Sequence, residues 1–143
     1  MSSYLTLSAL HGGMGILLFS LAMISVVIAV LIAVKPAADQ AHSGLMKKAN
    51  VVGLIEFVVD VTLTLTGIIA VFMGTWEWSE LWLWMGLMIM VFYCAALVFV
   101  TKPARLAVPK GGSAVKTGLQ VVLQMGHVLL LFVAFALMVL KPA

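Results

Sequence analysis

The sequence predicts an all-α integral membrane protein, four transmembrane helices packed up and down in one bundle with both termini on the same side. Three observations predict it. Of 143 residues, 64% are hydrophobic and 9% charged, with a mean hydropathy of +1.24; a soluble domain is nearer half apolar and a quarter charged. Four apolar runs, at about 4–34, 51–73, 81–100 and 115–140, each reach the ~20 residues that cross a hydrocarbon core about 30 Å thick. All eight basic residues lie outside those runs or at their ends. No stretch is left over for a soluble domain, so residues 1–143 are expected to form a single membrane domain.

The first run begins at MSSYLTLSALHGG, with no Lys or Arg ahead of it. A secretory signal has a positive n-region, so this helix is expected to stay in the mature protein. At 31 residues it is longer than a crossing requires, which implies tilt or an extension beyond the bilayer. It holds ALHGGMGILLF, where Gly12, Gly13 and Gly15 strip bulk from around His11. Such a stretch lets a backbone or a flat cofactor approach closely. Met14, three residues on from His11, lies near the same face.

The second run, VVGLIEFVVDVTLTLTG, carries two acids one helical turn apart. Gly53, Glu56, Asp60, Thr64 and Gly67 follow steps of three and four and so share a helix face. The segment TWEWSELWLW connects it to the third run. Its Trp76, Trp78, Trp82 and Trp84 read as an interfacial aromatic belt, with a quinone or porphyrin platform as the alternative. Cys94 lies inside the third run as the lone cysteine, so no disulfide framework exists. A flexible connector is expected around Pro109, Gly111 and Gly112, which lack phosphate-loop spacing. On the fourth run Gln120, Gln124 and His127 again share one face.

The tripeptide KPA recurs at 35–37, 102–104 and 141–143. Lysine snorkels to the headgroups and proline cannot continue a helix, so each copy is expected to close a span. The first two copies also suggest an internal pseudo-repeat of two hairpins, in which a shift of 67 residues lands Asp60 on His127. Lys35, Lys47, Lys48, Lys102, Arg105, Lys110 and Lys116 flank two loops on one side, while Lys141 shares the other with Glu77 and Glu80. The positive-inside rule then puts loops 35–50 and 101–116 in the cytoplasm and both termini in the periplasm, for a multi-pass protein of a bacterial inner membrane. The net charge of +3 is thus a topology signal and implies no nucleic-acid partner.

Depth brings the polar residues together. At ~1.5 Å per residue, Asp60 and His127 each lie about 21 Å from the outer end of their helices, and Glu56 and Gln124 sit about one turn further in. In an up-down bundle these helices are diagonal, so the four side chains are expected to meet at its centre, His127 beside Asp60 and Gln124 beside Glu56. A charge at mid-bilayer costs on the order of 3 kcal/mol or more. Each acid is therefore protonated, paired or hydrated within the bundle. A polar plug that only fixes helix packing is the plain reading. A catalytic proton path through Asp60, Glu56, His127 and Gln124 is the sharper one, since packing alone can be done with Ser or Thr.

His11 lies about 11 Å below the outer surface, some 10 Å from the level of His127, which disfavours the two clamping one haem unless the long first helix is shifted or tilted. A haem b on His11, with Met14 nearby, is the expected cofactor. Copper is the alternative, with His11 as the metal ligand, although ten methionines spread around the helices read mainly as gap fillers. His42, in the basic loop, is expected to be solvated.

The opening LHGGMGILLF, Asp60 followed by Thr66-Gly67, then Gly74-Trp76 and LWLWMGL resemble one group over roughly residues 4–105. This is the small bacterial four-helix membrane family related to copper-resistance protein D and to HemJ-type protoporphyrinogen oxidase. The resemblance implies the fold and, from the HemJ-type enzymes, a haem-binding role for His11. The Trp-Phe-Ala-Gly and Pro-Arg elements that follow the histidine in those enzymes are missing here.

The expected function is a haem- or metal-binding redox protein with an intramembrane proton path, an oxidoreductase acting on quinone or porphyrin. The alternatives are a proton- or cation-coupled transporter, which with four spans would work as a homodimer, and a noncatalytic subunit of a larger membrane complex.

Overall fold

A computed structural model describes residues 3–34, 40–74, 79–111 and 114–140. The described residues are almost entirely helical: α1 (Ser3–Val34), α2 (Gln40–Met73), α3 (Leu81–Ala96), a π-helical turn (Leu97–Thr101), α4 (Lys102–Gly111) and α5 (Ala114–Leu140). Among the described residues four apolar stretches are long enough to cross a membrane: Leu5–Val34, Gly44–Met73, Leu81–Leu106 and Gly118–Leu140. The chain is an all-α four-helix bundle. α1 packs against α2 and α5, and α3 packs against the same two, so α2 and α5 face each other across the diagonal.

Lipid is as apolar as leucine, so such helices associate through close packing and hydrogen bonds rather than hydrophobic burial. The interior follows that rule. Leu18, Ala22, Val59, Leu63, Met90, Tyr93, Leu97, Val128, Leu131 and Ala134 form the central cluster. Small residues at Ala22 and Ala134 let the backbones approach. Phe19 and Phe132 meet edge to face, with centroids 5.4 Å apart, and tie α1 to α5. Large apolar side chains such as Ile16, Leu54, Met88 and Phe99 point outward instead, as a lipid-facing surface requires.

Two boundaries differ from the sequence reading. α2 begins at Gln40 rather than near residue 51, because Met46 and Ala49 are buried against Ile28 and Ile32 of α1 and extend the helix through the basic segment. The second KPA does not end a span, and the expected connector at Pro109 and Gly111 lies within helix. Pro103 has no N–H and its ring crowds the carbonyl four residues back. The π-turn just before it absorbs that misfit: the Lys102 N–H reaches five residues back to the Leu97 carbonyl, and the rod continues to Gly111. The other two KPA copies, Trp76, Trp78 and the His42 side chain lie outside the described residues.

Candidate functional site

Two features occupy the bundle interior, a polar column and an apolar cavity, and one threonine touches both. The column is built on the α2 face that the spacing predicts. Glu56 and Asp60 are fully buried, and Gln120, Gln124 and His127 of α5 are nearly so. Glu56 accepts two hydrogen bonds: one from the Ser25 hydroxyl of α1, and one from the Tyr93 hydroxyl of α3 at 2.9 Å. Three helices are thereby joined at a single carboxylate. Asp60 accepts from Thr64 at 3.4 Å, one turn along the same helix.

The expected pairings within the column are not the ones formed among the described residues. His127 Nε2 bonds the Thr101 hydroxyl at 2.8 Å, and the His127 ring packs on Tyr93 with centroids 4.5 Å apart. Tyr93 takes the place beside Glu56 that the sequence reading assigned to Gln124. Three buried polar atoms have no hydrogen-bond partner among the described residues: Asp60 Oδ2, Gln124 Oε1 and His127 Nδ1. The physical cause is the π-turn. Its extra residue rotates Thr101 inward, fully buried, onto His127, while Gln120 donates to the Thr101 carbonyl at 3.3 Å.

Arg105 closes the basic end of the column. It is almost fully buried and donates from Nε to Asn50 Oδ1 at 2.8 Å. Its guanidinium lies against Gly53, where a Cβ would stand 2.8 Å from a terminal nitrogen. Its charge acts on Glu56. A small cavity bordered by Ser25, Arg105, Gln120 and Gln124 links this end to the Glu56 cluster. Sequence reasoning took Arg105 as a topology signal and overlooked Ser25, Tyr93 and Thr101. Arg105 is two residues beyond a KPA that reads as a helix end, and nothing in the local sequence marks the π-turn that carries it inward.

The apolar cavity, about 610 Å³, lies at the opposite end, between α1, α2, α3 and α5. Ligand sites commonly span roughly 300–1,000 Å³. Its wall includes Phe19, Trp82, Met90, Phe132 and Phe135, with His11 and Thr64 among its few polar members. Gly12 and Gly86 also line it, and a Cβ on either would meet nothing within 4 Å. Trp82 therefore belongs to the cavity rather than to a belt, whereas Trp84 is exposed. Met14 packs against the central cluster and is not in the wall, so it is not placed beside a ligand at His11.

His11 is held firmly. Its Nδ1 lies 2.8 Å from the Leu63 carbonyl and 3.2 Å from Thr66 Oγ1. A carbonyl only accepts, so Nδ1 carries the proton, and the Thr66 hydroxyl is free to donate to the Thr62 carbonyl at 2.9 Å. In the neutral ring Nε2 is then an unprotonated acceptor. This is the arrangement that orients imidazole ligands in metal sites, the far N–H anchored on a backbone carbonyl. Gly67 makes room for it: a Cβ there would stand 2.8 Å from His11 Cε1. Among the described residues no group of three or more His, Cys, Asp or Glu side chains is placed to share a metal ion.

Thr64 connects the two features. It lines the cavity and donates to Asp60, so the apolar chamber and the acid column are in contact through one hydroxyl. No family model, no curated protein and no solved structure matches this chain.

Proposed function

We propose that this chain is a membrane redox protein: the His11 cavity holds a flat, apolar ring molecule of the haem or quinone type, and the buried acids exchange protons with it. The observation that carries the reading is Thr64, shared by the cavity wall and the Asp60 carboxylate. Redox chemistry on such rings moves protons with electrons, and a chain of titratable groups inside the bilayer can carry them. The route runs from the cavity through Thr64 to Asp60, on to Glu56 with Ser25 and Tyr93, and then toward Arg105 and Asn50 at the basic end. In the bilayer, that end faces the cytoplasm of a bacterial inner membrane, and the cavity and both termini face the periplasm.

Haem is matched at the iron and unmatched at its rim. His11 Nε2 is set to ligate, but no described residue of the wall carries a charge to meet the two carboxylates of haem. A second reading, transport of protons or cations, is favoured by the unpartnered Asp60 Oδ2, Gln124 Oε1 and His127 Nδ1, which a passing cation or proton carrier would engage.

Two variants test the reading. An absorption spectrum of the purified protein, as isolated and after dithionite, identifies haem if a Soret band is present and His11→Ala abolishes it. Asp60→Asn keeps the size of the side chain and removes its charge and easy proton exchange. It is expected to slow redox-linked proton uptake in proteoliposomes by roughly a hundredfold while the fold survives. Undiminished uptake in that variant sinks the relay.

A further inference from the structure

We infer that the His11 cavity is a quinol site, selective for the reduced, hydroxyl-bearing form of a lipid-soluble quinone. The inference rests on the reading of this cavity as a ring-binding site and names the ring. Charge comes first. The described lining residues include no Lys, Arg, Asp or Glu, in a chamber lined by membrane-spanning helices. An ionised ligand would lie there without a counter-charge, at a cost of several kcal/mol. The occupant is therefore neutral.

Hydrogen-bonding direction comes second. The Nδ1–H of His11 is committed to the Leu63 carbonyl, which leaves Nε2 as an acceptor. Thr64 commits its hydroxyl hydrogen to Asp60 and offers only oxygen lone pairs. His11 and Thr64 thus both seek a donor, while Ser8, the other hydroxyl in the lining, donates or accepts as its partner requires. A quinone carries two carbonyl acceptors and would oppose acceptor to acceptor. A quinol carries two hydroxyl donors and satisfies them.

Shape and access agree. Aromatic walls at Phe19, Phe132 and Phe135 suit a planar ring, and Gly86 leaves open space at its own position on α3, where a Cβ would meet nothing within 4 Å. Ile16, Phe132 and Phe135 line the cavity and are also 73%, 57% and 68% exposed on the lipid-facing surface. The chamber therefore communicates with the acyl-chain region between α1 and α5. A ring with a long apolar tail can enter sideways and leave the tail in lipid.

The test uses the full chain in lipid nanodiscs and three probes: a decyl-tailed benzoquinol, its oxidised quinone, and its dimethyl ether, which keeps ring and tail but has no O–H. Binding is followed by tryptophan fluorescence, corrected for partitioning into lipid. The quinol is expected to bind roughly tenfold or more tighter than either comparison compound. His11→Ala is expected to erase that preference, and Thr64→Val to reduce it. The comparison of probes on the unaltered chain needs no variant to fold. Equal affinity for the quinol and its dimethyl ether overturns the inference. A Soret band dependent on His11 also overturns it, while leaving the ring-binding reading intact. Saturable binding of none of the three, with no Soret band, overturns both.

Discussion

Glu56→Ala is expected to destabilise the bundle by about 2–4 kcal/mol in reversible unfolding from mixed micelles, one of the two largest effects of any single change proposed for this chain. Glu56 is fully buried and is the common acceptor for Ser25 and Tyr93, which lie on two other helices. Truncation strands two buried hydroxyls in the bundle interior and leaves a void where the carboxyl stood. Tyr93 is itself fully buried, so its hydroxyl cannot turn to solvent. Glu56→Gln keeps an oxygen acceptor and the volume, and should cost only about 1 kcal/mol. Coupling identifies the cause. In a Ser25→Ala, Tyr93→Phe background both donors are gone, and Glu56→Ala should then cost less than half as much. A loss below about 1 kcal/mol in the unaltered background would mean that the hydroxyls find other partners.

What the sequence reveals of this molecule follows from which forces are local. The four helices are legible because each must be apolar along a whole crossing, a demand written in consecutive residues. The α2 face of Glu56 and Asp60 is legible for a similar reason: helical periodicity alone puts Gly53, Glu56, Asp60, Thr64 and Gly67 together. Burial of His127, Gln120 and Gln124 follows from the cost of exposing them to lipid. The partners are not legible, because they depend on rotation about each helix axis. One extra residue in the π-turn at Leu97–Thr101 brings Thr101 and Arg105 inward, and His127 bonds Thr101 rather than Asp60. Equal depth predicted a contact with Asp60, and depth alone does not fix the azimuth that puts His127 on Thr101. Ser25 and Tyr93 escaped notice because one hydroxyl in a long apolar run is common and carries no period. The glycines near His11 misled in part. They open the cavity at Gly12, but the glycine that admits the imidazole is Gly67 on the facing helix.

Gly67→Ala is expected to be the other large effect, and one methyl group produces it. The new Cβ would stand 2.8 Å from His11 Cε1 and 3.3 Å from Nδ1. Real carbon contacts do not persist at the shorter distance, so the ring must shift. It cannot shift freely, because Nδ1 is bonded to the Leu63 carbonyl one turn back on the same helix. Moving the imidazole away from Gly67 therefore breaks the bond that sets its tautomer and aims Nε2. The expected cost is about 1–3 kcal/mol of stability from overpacking, together with roughly a tenfold or greater loss of His11-dependent ligand binding. Gly86→Ala is the matched control, since a Cβ there meets nothing within 4 Å. That variant should gain about 0.5–1 kcal/mol from helix propensity and affect only the room in the cavity. The decisive comparison removes the ring. In His11→Ala, Gly67→Ala no longer meets an imidazole and should become neutral or stabilising, so its effect changes sign between backgrounds. If the substitution costs the same with and without His11, the glycine serves the backbone of α2 rather than the histidine. A change of sign makes Gly67 the residue on which the orientation of His11, and with it the donor-seeking character of the cavity, depends.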